Sequence, residues 1–194
     1  MSVTTEAPRR RLSNRIIVTV IAVVLAIVLI AVVSDLTGSK VTSNGHGNTV
    51  LPTTRLVGHH VQTFSLAGLG GGKVHAPWTE GSASVLIFFA SWCTPCKAEM
   101  PKVAAYIRTH NPSPIDVVGI DANDERSAAQ AFVKKDGVTF PVAFDANGTV
   151  TSTIFDFQEL PESVFINAKG IVEKVHFGAI SEKALASGIK MLKS

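Results

Sequence analysis

Cys93 and Cys96 are the only two cysteines in this 194-residue sequence. They stand two residues apart in the stretch SWCTPCKAEMP, Ser91 to Pro101. Thiols at that spacing have three common uses. A zinc site needs a second such pair, or two histidines at ligand spacing. There is no second pair, and His46, His59, His60, His75, His110 and His176 are scattered. These histidines are expected to be solvated or packed side chains, and neither a metal nor another cofactor is expected. A structural disulfide here would close a very small loop and restrict the unfolded chain little. The third use is electron exchange, which needs a helix that starts just after a strand.

The flanking residues supply that context. SVLIFFA (Ser84–Ala90) is a continuous apolar run, as in a strand buried on both faces. KAEMPKVAAYIRTH, after the cysteines, reads as a helix with Val103, Tyr106 and Ile107 on one face and a kink at Pro101. Cys93 is then expected at the helix N-cap, where free N–H groups and the helix dipole stabilise a thiolate. Cys96, one turn in, is expected to be more shielded. In that arrangement Cys93 attacks a substrate disulfide and Cys96 resolves the mixed disulfide. Thr94 and Pro95 keep the turn tight and leave few competing donors.

The remaining elements form a frame for this pair. VQTFSL (Val61–Leu66) reads as a short edge strand ended by the Gly68–Gly72 cluster. IDVVGID (Ile115–Asp121) reads as a second buried strand. DERSAAQAFVKKDG reads as a helix opened by acids and closed by Gly137, with Ala128, Ala129, Phe132 and Val133 on one face. Val142–Phe144 is a short strand followed by the turn DANG. SVFI and IVEKVHF flank NAKG as a hairpin, and Ser181 caps a last helix running through Lys190. The predicted fold is α/β: a mixed central sheet with helices on both faces.

A different solvent is written into the N-terminus. Ile16 to Val33 runs 18 residues with only Thr19 polar. That is enough for a hydrocarbon core, which takes about 17–25 residues. Arg9, Arg10, Arg11 and Arg15 precede the run. The positive-inside bias places residues 1–15 in the cytoplasm as a basic tail, with 16–33 as a single transmembrane anchor. The run is longer than a signal-peptide h-region, and no clear A-x-A follows it. Residues 34–52 read as a flexible linker rich in Gly, Ser, Thr and Asn. Residues 53–194 are then one extracytoplasmic domain. That domain carries thirteen basic and thirteen acidic residues, so nothing points to nucleic acid.

On these motifs the sequence resembles the thioredoxin superfamily, in its membrane-anchored TlpA/ResA/CcmG-like branch. FFASWCTPCKAEMP resembles the active-site signature through Trp92, Cys93, Pro95, Cys96, Glu99 and Pro101. FPVAFDANGTV resembles the segment before the cis-proline, and ELPESVFINAKGIV resembles the cis-proline strand, with Pro161 as the cis residue. The resemblance implies a thioredoxin-like fold and a membrane-tethered thiol–disulfide oxidoreductase. It implies the reducing direction, acting on exported proteins, for instance in cytochrome c maturation.

The implied partners are exported protein thiols and disulfides, and a membrane donor or acceptor of electrons for the dithiol. Leu160 and Pro161, with Trp92, Thr94 and Pro95, are implied as the substrate groove. Glu99 is implied as the acid that exchanges a proton with Cys96. Its residue type and place alone would put it in a first helical turn, facing water.

The sequence departs from the superfamily at two places. Ile87 stands where many thioredoxins carry a buried Asp. Glu159, Leu160 and Glu162 flank Pro161, where small residues and Thr are more usual. Glu159 and Glu162 are expected to face water; the other outcome is that they raise the thiol pKa or select a basic substrate. Three other functions stay open: an exported disulfide oxidant, a copper-delivery module, and a peroxidase of related architecture. Copper delivery lacks a Met- or His-rich site beyond the pair, and Ala90 stands where the peroxidase would need Thr.

Overall fold

A computed structural model describes residues 55–157 and 159–194. The expected tail 1–15, anchor 16–33 and linker 34–52 lie outside the described residues. Among the described residues no helix is long and apolar enough to cross a membrane.

Seven strands form one sheet in the order β2-β1-β5-β4-β3-β6-β7. They are β1 (Ser65–Gly68), β2 (Lys73–His75), β3 (Ser84–Phe89), β4 (Asp116–Ala122), β5 (Val142–Asp145), β6 (Glu162–Ile166) and β7 (Val172–Phe177). The centre is parallel: β3 pairs with β4, and β4 with β5. The flanks are antiparallel, with β1 on β5 and β6 on β3. The helices are α1 (Thr94–His110), α2 (Arg126–Lys135), α3 (Thr149–Thr153) and α4 (Glu182–Leu192), with a 3-10 turn at Pro77–Glu80. This is the thioredoxin-like arrangement expected.

The central strands are apolar on both faces because both are covered. Val85, Ile87 and Phe89 of β3 join one cluster with Met100, Val103 and Ile107 of α1 and Phe132 of α2. Leu86 and Phe88 join the opposite cluster with Trp78, Val150 and Phe155. Each such side chain, fully buried, contributes about 1.5–3 kcal/mol. Of the residues expected on the buried face of α2, Ala129 and Phe132 are buried but Ala128 is exposed. α1 runs through Pro101 unbroken, with Pro101 on its exposed side.

Two expectations are corrected at the edge. Val61 and Phe64 are buried but lie outside any strand, and the ladder begins only at Ser65. The glycine cluster joins β1 to β2 as a hairpin. At Gly68 a Cβ would lie 2.5 Å from the Gly71 carbonyl oxygen, so only glycine fits the turn. After β5, the turn DANG leads into α3, a helix too short to show a period. The Asp145 carboxylate caps it, accepting from the N–H groups of Val150 and Thr151 at 3.2 and 2.8 Å.

Candidate active site

β3 ends at Phe89 and α1 starts at Thr94, so Cys93 stands at the C-terminal end of the central sheet. It is the N-cap of α1, with Pro95 in the first turn. Cys96 N–H donates to Cys93 Sγ at 3.2 Å, so the cap function falls on the sulfur itself. The two cysteines are joined in a disulfide with Cα atoms 5.3 Å apart. Cys93 keeps 4 % of its surface exposed and Cys96 none, so an incoming thiolate meets Cys93.

Neighbouring loops build the rest of the rim. Trp92 is 57 % exposed, and its indole Nε1 donates to the Asn123 carbonyl at 3.0 Å. Thr94 and Pro95 are exposed beside it. The Leu160–Pro161 peptide is cis, with Pro161 buried. Leu160 packs against the cluster that holds Cys93 and Cys96. Trp92 and Leu160 line one groove of about 300 Å³ with Asn123, Gly148, Thr151 and Phe157. None of the residues that line it is charged.

Glu99 is not on that groove. It is buried, against the solvent-facing place that its position alone favours, because the loop before α4 closes over it. Its Oε1 accepts from Ile180 N–H at 2.7 Å, and its Oε2 is buried without a hydrogen-bond partner among the described residues. Burial pushes its pKa up to about 7, the Ile180 N–H opposing. It opens onto a separate hollow with Lys102, Ile180 and Lys183. Glu159 is exposed as expected, but Glu162 is fully buried, because β6 runs between β3 and β7.

Two acids of this region were not singled out from sequence. Asp121, near the end of β4, is fully buried. Asp124 follows β4 and accepts from Ser91 N–H at 2.5 Å and Ser91 Oγ–H at 2.9 Å. The available signal was a charged residue inside a run that must be buried on both faces. Ile87 is fully buried too and pairs with Gly119, so the acid on this face stands one strand over and two residues on.

Comparison with known proteins fits this geometry. The sequence profile of the AhpC/TSA family matches residues 57–175. The thiol-disulfide oxidoreductase ResA of Halalkalibacterium halodurans is 26 % identical over 165 residues, covering 85 % of this chain and 92 % of that protein. Among solved structures, DsbF of Mycobacterium tuberculosis is 31 % identical with a TM-score of 0.60, over 66 % of this chain and 94 % of the other. A structure described as the thiol:disulfide interchange protein DsbE of Chlorobium tepidum is 27 % identical with a TM-score of 0.64, over 71 % and 98 %.

Proposed function

We propose, for a chain that belongs to the AhpC/TSA family and within it to the ResA- and DsbE-like thiol–disulfide oxidoreductases, that it reduces disulfides in exported proteins from a membrane tether. One observation carries the chemistry. Cys93 caps α1, so the thiolate it forms on reduction sits where free N–H groups and the helix dipole favour charge. Cys93 attacks the substrate disulfide and forms a mixed disulfide. Cys96 loses its proton, attacks Cys93 and releases the reduced substrate. Glu99 takes that proton. It lies three residues along the same helix, and its pKa of about 7 suits proton exchange near neutrality.

Trp92, Thr94, Pro95, Leu160 and Pro161 hold an extended substrate segment against the pair. The uncharged groove between Trp92 and Leu160 fits a neutral segment beside the substrate cysteine. The tether is Ile16–Val33, with the arginines before it keeping the N-terminus inside. The reducing direction is the role common to this branch, and cytochrome c maturation is one such use. The dithiol would be recharged by a membrane electron donor.

The direction is tested by the reduction potential of the Cys93–Cys96 pair, measured beside its redox state in cells. Enzymes built on this fold span about −270 to −120 mV. A strongly reducing potential with the dithiol reduced in vivo supports the reading. A potential near the oxidising end with the disulfide accumulating in vivo makes the protein a disulfide oxidant instead. A reporter fused after Ser194 should be active only outside the membrane; cytoplasmic activity overturns the localisation.

A further inference from the structure

The turn that presents Cys93 is held from one side. Ala90 to Trp92 connect β3 to the cysteine. Ser91 gives both its N–H and its hydroxyl to the Asp124 carboxylate. Trp92 gives its indole N–H to the neighbouring Asn123 carbonyl. Two successive residues before Cys93 are thus clasped to the two residues that follow β4. Asp124 also accepts from Glu125 N–H at 2.7 Å, so three donors converge on one carboxylate.

Asp121 stands directly behind this clasp. In the parallel register it pairs with Phe89 on β3 and Phe144 on β5. Register partners in a sheet project to the same face, so its carboxyl lies between two aromatic side chains. That face is the one α1 covers, and it includes Phe89, Cys93 and Cys96 in a single cluster. Asp121 is fully buried, and no described residue donates a hydrogen bond to either oxygen; its own carboxyl, when protonated, can donate to the Asp124 carboxylate.

The charges that act on it are few. Asp124 repels, as does Asp145 at the end of β5. Arg126 at the start of α2 attracts, but its guanidinium lies 4.3 Å over the Phe144 ring and donates to the Gly68 carbonyl. From α1 come the two cysteines, which as a disulfide have no proton to lose.

We propose that Asp121 is a proton-dependent positioning residue for the Cys93–Cys96 pair: neutral, it lets Asp124 hold Ser91, and ionised, it repels Asp124 and loosens the turn that carries Trp92 and Cys93. A buried carboxyl without donors is held neutral at the cost of its charged form. Burial, with Asp124 next, pushes the Asp121 pKa up to about 8. Losing that proton puts a second negative charge beside Asp124 where little water screens it. Asp124 is the less buried of the two and lies on a loop, so it is the one that moves. The added charge also disfavours thiolate on the nearby sulfurs. Attack on the disulfide, which leaves one sulfur as a thiolate, is therefore slower above the transition. The inference rests on reading Cys93–Cys96 as the reactive pair.

The test uses the full-length oxidised protein, in which the cysteines do not titrate. In a Trp78→Phe background Trp92 is the only tryptophan. Its fluorescence should show one step near pH 8, and Asp121→Asn should abolish the step and keep the acid-side signal throughout. The rate of reduction by dithiothreitol, divided by the concentration of its thiolate, should drop across the same step and stay flat in Asp121→Asn. A Trp92 signal without a step, or a step that survives Asp121→Asn, overturns the proposal.

If Asp121→Asn does not fold, Asp124→Ala serves instead. It removes the carboxylate that accepts both the N–H and the hydroxyl of Ser91, and should show the alkaline-side signal at every pH; a step of wild-type size overturns the proposal. Dithiothreitol reduces the disulfide whatever the natural substrate is. Failure to exchange with protein disulfides would therefore count against the proposed function alone.

Discussion

Glu99 Oε1 accepts a 2.7 Å hydrogen bond from Ile180 N–H, tying the first turns of α1 to the loop before α4. One oxygen of a buried acid is therefore committed to structure, while the other is free for a proton. Glu99→Gln can keep the first role through its amide oxygen and loses the second. The fold should survive, and the thiol pKa of Cys96 should fall because a nearby carboxylate is gone. Resolution of the mixed disulfide near neutral pH should slow by about tenfold or more. Stopped-flow exchange and thiol titration check this; unchanged rates and an unchanged pKa would leave Glu99 only the bond to Ile180.

The difference in exposure between the two sulfurs sets a second expectation. Cys93 is reachable and Cys96 is wholly covered. Cys96→Ser should accumulate mixed disulfides with substrate proteins, visible on non-reducing gels, because nothing resolves them. Cys93→Ser should trap few. Equal trapping by the two variants would refute the division of labour.

Much of this site was legible because its signals are short and local. A continuous apolar run ending in S-W-C-x-x-C marks a buried strand entering a helix, and β3 and α1 follow it. The edge was harder to read. Phe64 and Leu66 alternate as a strand would, yet the ladder begins only at Ser65, and Val61 and Phe64 are buried ahead of it; Val61 N–H is taken by the Gly170 carbonyl at 2.9 Å instead of a neighbouring strand. β2 has three residues and α3 five, too few for a period to show. Glu99 and Glu162 read as surface acids because local sequence does not show which distant segment will cover them. Ile180, which covers Glu99, lies 81 residues away.

Gly188 offers a packing test away from the cysteines. It lies in α4, where glycine costs about 1 kcal/mol against alanine. The sequence accepts this because α4 runs against β6: a Cβ at Gly188 would lie 2.1 Å from Cε1 of the fully buried Phe165. Gly188→Ala should therefore destabilise, by about 1–3 kcal/mol, instead of stabilising as helix propensity alone implies. Urea unfolding decides the sign. A more stable variant would mean that the Phe165 ring can move aside.

The two buried acids also fix how stability depends on pH. Burial is the chief cause in both: Glu99 is raised from 4.5 to about 7, and Asp121 from 3.8 to about 8. The unfolded chain releases these protons at the ordinary carboxylate values. Between those values and the raised ones, the folded chain binds more protons than the unfolded chain. The unfolding free energy then falls as pH rises. The contribution of each acid is complete below its ordinary value and is lost as pH passes through its raised value. Stability should be greatest on the acidic side, decline through neutrality and level off above about pH 8. Glu99→Gln should remove the part of the decline that ends near pH 7, and Asp121→Asn the part that continues to about 8. Urea midpoints of the oxidised protein across that range measure the slope; midpoints that climb through neutrality would show that neither acid is held neutral by the fold.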